Sequence, residues 1–189
     1  MPSVPGPGGF SATGSEIVWR GRRLAMARAS FRSPDGEAFE REYLVHPGAV
    51  GVIAVDGDGA VSLVRQFRGP MGTTVLEMPA GTCDVDGEPP IETARRELAE
   101  EAGLRAAAWE ELAPLPVSPG VTDQVTRVYL ATDLTPCDTA REGPEERALS
   151  VERVLLDEVL DRAAAGERID APTLAGVALA LRRLSKRTG

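Results

Sequence analysis

Residues 90–102 constrain this chain more than any other stretch. Pro89 and Pro90 open it, where a helix's first turn loses little by lacking N–H donors, and Gly103 follows as a natural residue just past a helix end. Ala94, Leu98 and Ala102 recur at four-residue spacing and form one apolar stripe that has to be buried. Glu97, Glu100 and Glu101 stand at i, i+3 and i+4, so three carboxylates share one face about one turn apart. Like charges at that spacing destabilise an isolated helix by a few tenths of a kcal/mol per pair. They also sit at the end of the helix that disfavours negative charge. A solvated acidic face is the plain reading of most Glu-rich helices. A conflict between local rule and placement points instead to a functional site. A hard divalent cation between the carboxylates would relieve it, keep several waters and reach substrate phosphates.

Around this helix the pattern is mixed. Residues 1–14 are rich in Pro, Gly and Ser and are expected to form a disordered tail. Leu24 to Phe31 and Phe39 to Val45 flank the turn signal Ser33-Pro34-Asp35-Gly36 and predict a β-hairpin. His46-Pro47-Gly48 breaks the pattern, so 15–48 is expected to be an antiparallel β extension and 49–189 the main domain. Val50 to Val55, Val61 to Phe67, Thr74 to Met78, Thr126 to Ala131 and Ser150 to Leu155 read as strands. Leu156 to Ala165 and Pro172 to Leu184 read as helices. The expectation is an α/β (α+β) fold in one domain behind a small antiparallel β extension.

Composition narrows the chemistry. The chain has 29 acidic and 21 basic residues, a formal charge of −8. It lacks the positive field that nucleic acid or an anionic membrane attracts. No apolar run approaches the roughly 20 residues needed to span a bilayer, and the N-terminus has no secretory pattern, so a cytoplasmic location is expected. His46 is the single histidine, which excludes a zinc site of several imidazoles. Cys83 and Cys137 form no CxxC pair, and Lys186, the single lysine, belongs to no phosphate-binding GxxxxGK loop. Carboxylate chemistry on a hard metal remains.

The segment before the helix sharpens this reading. Glu77-Met78-Pro79-Ala80-Gly81 leads through a loop to Glu88, then seven residues, then Arg96-Glu97-Leu98-Ala99-Glu100-Glu101-Ala102-Gly103-Leu104. This resembles the Nudix box. Gly81 and Glu88 are separated by six residues, where the family usually has five, and the extra one falls in the 82–87 loop. Arg41 to Val50, Leu63 to Arg68, Glu77 to Gly81 and Ser118-Pro119-Gly120-Val121-Thr122-Asp123 look like the ADP-ribose pyrophosphatase branch. Members often carry Glu after Thr-Asp, whereas Gln124 stands here. The resemblance runs from Glu16 to Leu184 and implies a Nudix α/β/α sandwich with a mixed sheet.

The resemblance also implies roles. Glu97 and Glu101 would ligate metal, Mg2+ with Mn2+ as the alternative, with Glu100 close by and the Ala80 backbone carbonyl as a further ligand. Arg96 would orient the box glutamates by ion pairing. The catalytic base would be a glutamate just before the last strand: Glu145 by family position, Glu146 if the register shifts by one, or else a box glutamate such as Glu100. Arg68 and Arg41 match positions that contact substrate, and Pro119 matches a proline marking sugar-nucleotide substrates. Arg68 could equally be a surface charge, and Arg41 could pair with a cross-strand carboxylate. Trp19 could stack on a purine or fill the hairpin's core, and the core reading is favoured. Trp109 is expected to pack, Cys83 to be inert and His46 to serve a turn. The implied activity is hydrolysis of ADP-ribose to AMP and ribose 5-phosphate. The alternatives are another nucleoside diphosphate derivative or a non-catalytic ADP-ribose sensor. The implied assembly is a domain-swapped homodimer, because residues 16–46 form too few strands to stand alone.

Overall fold

The computed structural model describes residues 7–21, 24–139, 141 and 147–186. The chain divides into two compact units: residues up to Pro47 with Pro116–Gln124, and Gly48–Leu115 with the residues from Val125 onward.

The first unit is a three-stranded antiparallel sheet, β1 (Ser11–Arg20), β2 (Ala25–Arg32) and β3 (Ala38–Val45), in the order β1-β2-β3. Strands β2 and β3 pair without a break from Ala25↔Val45 to Arg32↔Ala38. Their turn closes where the Gly36 N–H donates to the Ser33 carbonyl at 3.0 Å, with Gly36 at φ +94°. A positive φ of that kind favours glycine. In β2 the residues alternate: Ala25, Ala27 and Ala29 are buried, while Arg28 reaches Glu42 at 2.9 Å and Glu16 at 3.7 Å. Strand β1 corrects two expectations. Ser11 to Gly14 belong to a strand and not to a tail, and the unit has three strands where the turn signals showed a hairpin. Small polar residues look like loop in isolation. Here their backbone groups are satisfied by β2, through a register that slips at Ala12/Gly14 and again at Ile17/Trp19. Residues 116–124 join the same unit, since the Leu44 N–H donates to the Val121 carbonyl at 2.8 Å and the His46 N–H to the Asp123 carboxylate at 2.8 Å.

The second unit runs β4 (Ala49–Val55), β5 (Ala60–Arg68), β6 (Thr73–Glu77), β7 (Ala80–Thr82), α1 (Pro90–Ala102), β8 (Leu104–Pro116), β9 (Val125–Pro136), β10 (Ser150–Leu155), α2 (Glu158–Ala164) and α3 (Ala171–Ser185). Its sheet has the order β10-β5-β4-β9-β8, with β6 paired to β5 and β7 to β4. Strand β4 is the hub. It runs parallel to β9 from Ala49↔Thr126 to Ala54↔Ala131. On its other edge it pairs antiparallel with β7 at Ala49–Gly51 and with β5 at Ala54–Val55. The sheet is therefore mixed.

Alternation along β4 sorts the core into two faces. Val50, Val52 and Ala54 pack with Ala94 and Leu98 of α1, together with Tyr129 and Ala131. Ile53 and Val55 pack on the other face with Val159 of α2 and Val177 and Ala180 of α3. The result is helix, sheet, helix, the expected α/β/α sandwich. Helix α3 approaches closely because Gly176 has no side chain: a Cβ there would lie 3.0 Å from two Ile53 carbons. Of the apolar stripe of α1, Ala94 and Leu98 are fully buried and Ala102 partly so, and truncating Leu98 to Ala would cost about 2–5 kcal/mol. Strand β8 has no counterpart among the expected elements. Its Ala-rich sequence has weak strand propensity, and pairing at the sheet's edge beside β9 makes it a strand. Among the described residues no helix is long and apolar enough to cross a membrane.

Candidate active site

The site grows from α1 and the loop before it. Glu88 ends that loop and accepts a hydrogen bond from the buried Thr93 hydroxyl at 2.8 Å. It also accepts two longer ones from Arg96, at 3.3 and 3.4 Å. Arg96 in turn donates to Glu97 at 2.8 Å and to Glu100 at 3.1 Å. One guanidinium thus holds Glu88, Glu97 and Glu100, offsetting the repulsion that the i, i+3 spacing of Glu97 and Glu100 predicts. The Arg96 pKa rises, first through its bonds to Glu88 and then through Glu97 and Glu100. The Glu88 carboxyl is held below its ordinary value by Arg96 and Thr93. Arg96 therefore pairs with Glu88, Glu97 and Glu100 at 3.3, 2.8 and 3.1 Å.

Glu101 lies one turn along and is 5% exposed. Its carboxylate accepts the Ala80 N–H at 2.9 Å, so the box helix is tied to β7. The next residue explains the Gly of the motif: a Cβ on Gly81 would fall 2.1 Å from the carboxyl carbon of Glu97. The missing side chain is the seat of that carboxylate. The extra residue in the 82–87 loop leaves these contacts of α1 with β7 in place. Among the described residues no three carboxylates converge into a ready-made metal cage. The donor set still suits a hard divalent ion. Glu97, Glu100 and Glu101 bring carboxylate oxygens to one face beside a cradle that only glycine leaves open, and Mg2+ needs only one or two carboxylates beside its waters and substrate phosphates.

The other expected residues fall as follows. Arg68, at the end of β5, is neither a loose surface charge nor free: it grips the buried Glu77 carboxylate through two hydrogen bonds. Asp170 is close enough to both for their charges to act on it. Arg41, in β3, makes no cross-strand carboxylate pair among the described residues. Its guanidinium lies 4.8 Å from the Phe39 ring centre and donates to the Glu40 carbonyl at 2.7 Å. Arg28 takes the neighbouring carboxylates instead. The core reading of Trp19 is overturned: the residue is 56% exposed, in a strand whose residues from Ala12 to Arg20 are all exposed, and its indole lies over Gly21. Pro119 stands inside a turn in which the Val121 N–H donates to the Ser118 carbonyl at 2.9 Å. Trp109 packs, edge-on to Tyr129 at 6.4 Å. Burial raises the Cys83 thiol pKa, in keeping with an inert side chain. Glu145 and Glu146 lie outside the described residues.

Residues 45–175 match the NUDIX domain model. The chain belongs to the Nudix family. Within that family it stands with the ADP-ribose pyrophosphatases. This Nudix chain is 38% identical over 168 residues to an ADP-ribose pyrophosphatase of Mycobacterium tuberculosis, covering 89% of this chain and 81% of that protein. It is 36% identical over 158 residues to an ADP-ribose pyrophosphatase of Bacillus subtilis, covering 84% and 85%. A crystal structure of an ADP compounds hydrolase superposes with a TM-score of 0.78 over 94% of this chain and 95% of that one, at 22% identity, which speaks for the fold.

Two residues of this Nudix hydrolase escape a reading of its sequence alone. Glu77 is visible in the motif Glu77-Met78-Pro79-Ala80-Gly81, but nothing local marks it as the buried partner of Arg68. Arg141 sits among acidic residues in the stretch after β9, and no local signal marks its bonds to the carbonyls of Glu101, 40 residues before it, and Leu149, 8 residues after it.

Proposed function

We propose that this Nudix hydrolase cleaves the pyrophosphate bond of a nucleoside diphosphate sugar, with ADP-ribose and water giving AMP and ribose 5-phosphate. The observation that carries the reading is the box itself. Its carboxylates share one face of α1, Glu97 seats over Gly81, and Glu101 is tied to Ala80, in a chain similar over most of its length to two ADP-ribose pyrophosphatases. Glu97 and Glu101, with Glu100 and the Ala80 carbonyl, would hold Mg2+ or Mn2+. When bound, such an ion neutralises diphosphate oxygens and lowers the pKa of a bound water.

The chain's own residues do the rest. Arg96 keeps Glu97 and Glu100 in place and carries part of their charge. Glu145, or Glu146 one place on, takes the proton from the attacking water, a role typically worth about 10²–10⁴-fold in rate. Arg68, oriented by Glu77, offers its half-exposed guanidinium to a substrate phosphate or ribose. Arg41, Pro119 and Trp19 recognise the rest of the substrate, Trp19 by stacking on the base. The acting form is a domain-swapped C₂ homodimer in the cytoplasm. Strand β1 and its flanks leave Phe10, Ile17, Val18 and Trp19 exposed at the edge of a small sheet, apolar surface of the kind that a second copy covers.

The test is a panel of nucleoside diphosphate sugars and nucleoside triphosphates with Mg2+, with products separated chromatographically. ADP-ribose should give the highest kcat/KM, with AMP and ribose 5-phosphate in equal amounts. EDTA should stop the reaction, and Glu97→Gln and Glu101→Gln should each lower turnover by orders of magnitude in a folded protein. Faster hydrolysis of triphosphates, or full activity in excess EDTA, would overturn the proposal.

A further inference from the structure

The last turn of helix α1 carries Glu100 and Glu101 and has no basic side chain. Its final carbonyls lack donors within the helix, and they add negative potential where carboxylates already crowd. Gly103 offsets part of this, since its N–H turns back to the Ala99 carbonyl at 3.1 Å. The missing cation comes from outside the helix. Arg141 donates to the Glu101 carbonyl through Nη2 at 2.7 Å and Nε at 3.2 Å. Its Nη1 donates to the Leu149 carbonyl at 2.7 Å, just before β10. The Cys137 N–H donates to the Gly103 carbonyl at 2.8 Å, which fastens the end of β9 to the same helix end. Glu101 is therefore held twice, by Ala80 at its carboxylate and by Arg141 at its carbonyl.

We propose that Arg141 is a positioning residue for the ion-binding carboxylates. By locking the last turn of α1, it fixes where Glu101 and Glu100 present their oxygens. The inference rests on the reading of Glu101 as a metal ligand. Two effects of Arg141 oppose each other. Its positive charge repels a bound cation, while its grip holds the ligand in place. The two effects predict opposite changes in ion affinity when Arg141 is replaced, and the proposal assigns the larger one to the grip, made by two donors on the Glu101 carbonyl. The planar fork matters too. A guanidinium reaches two carbonyls at once in a fixed geometry, whereas the compact ammonium of lysine has no such fork.

The experiment counts Mn2+ bound to the substrate-free protein by electron paramagnetic resonance, for the wild type, Arg141→Lys, Arg141→Met and Glu101→Gln. Thermal melts run alongside. Removing a group that orients a metal ligand typically weakens metal affinity about 10–100-fold. Both Arg141 variants should lose affinity in that range, with the lysine variant failing to rescue the methionine one. Glu101→Gln should lose the ion altogether. If Arg141→Lys binds Mn2+ like the wild type and Arg141→Met binds it more tightly, Arg141 acts only through its charge and the proposal is overturned. It is equally overturned if both variants melt earlier yet bind Mn2+ unchanged, since Arg141 then serves stability alone. Wild-type binding by Glu101→Gln removes the ligand assignment and the role of Arg141 with it. Loss in Glu101→Gln with no change in either Arg141 variant leaves the ligand assignment standing and removes Arg141 alone.

Discussion

Gly81 lies where an alanine's Cβ would come within 2.1 Å of the Glu97 carboxyl carbon. No rotamer of Glu97 keeps that seat if the Cβ is present, so Gly81→Ala must push the carboxylate away or shift β7. A misplacement of about 1 Å in a catalytic group can cost about 10²-fold. Gly81→Ala should therefore lose at least about a hundredfold in kcat with Mg2+, with little change in far-UV circular dichroism. Near-normal turnover would mean that Glu97 does not work from this position. The base makes a second prediction at this scale. If the chain is extended at Glu145 and Glu146, the two side chains face opposite ways, and Glu145→Gln and Glu146→Gln should split, one losing at least about a hundredfold in kcat and the other staying close to the wild type. Wild-type rates in both across pH 6 to 9 would place the base elsewhere, with Glu100 the next candidate.

At the scale of elements, helix starts and ends are settled by different means. Helix α3 opens on Asp170, whose carboxylate accepts the Thr173 N–H at 3.2 Å. Thr173 is buried, and its hydroxyl accepts the Met78 N–H at 2.8 Å, so the cap also ties α3 to the chain after β6. Burial, with the Glu77 charge adding to it, pushes the Asp170 pKa from 3.8 to about 6, while Thr173 and Arg68 pull the other way. Between those two values the folded protein keeps a proton that the unfolded chain has lost. Stability therefore falls as pH rises through that window, and the penalty is complete above it. Asparagine caps a helix as well as aspartate does and carries no charge. Asp170→Asn should melt higher than the wild type at pH 7.5, by an amount on the order of 2 kcal/mol, and the gain should vanish by pH 4. A gain that does not depend on pH, or a loss at pH 7.5, would refute this account of the cap. Helix α1 was the most legible element in the sequence. Its proline start, apolar stripe and glycine end are local signals, and the structure keeps all three. Strand β8 was illegible, because its alanines carry no alternation and its strand state comes from pairing beside β9.

At the scale of the whole molecule, the exposed apolar residues of the first unit bear on assembly. Ile17, Val18 and Trp19 are 45%, 40% and 56% exposed on one short run of β1. Sedimentation velocity at micromolar concentration should give a dimer, and Trp19→Asp should push it toward monomer and lower activity together. A fully active wild-type monomer would refute the dimer. The sheet of the second unit was largely visible in advance as a set of strands, because runs such as Val50 to Val55 must be buried on both faces. Their order was not, since pairing between β4 and β9 joins residues far apart in sequence.

The sequence by itself determined the box helix, the face on which Glu97, Glu100 and Glu101 stand, and the family. These depend on spacing along one helix, and a period of 3.6 residues acts wherever the helix is placed. Only the tertiary structure decided that Glu97 sits over Gly81, that Glu77 holds Arg68, that Trp19 faces outward, and that Arg141 supplies the cation missing from the end of α1. Each of those outcomes depends on which distant backbone comes within hydrogen-bonding or van der Waals reach. That proximity is set by the packing of the sheet and its helices, and no local pattern encodes it.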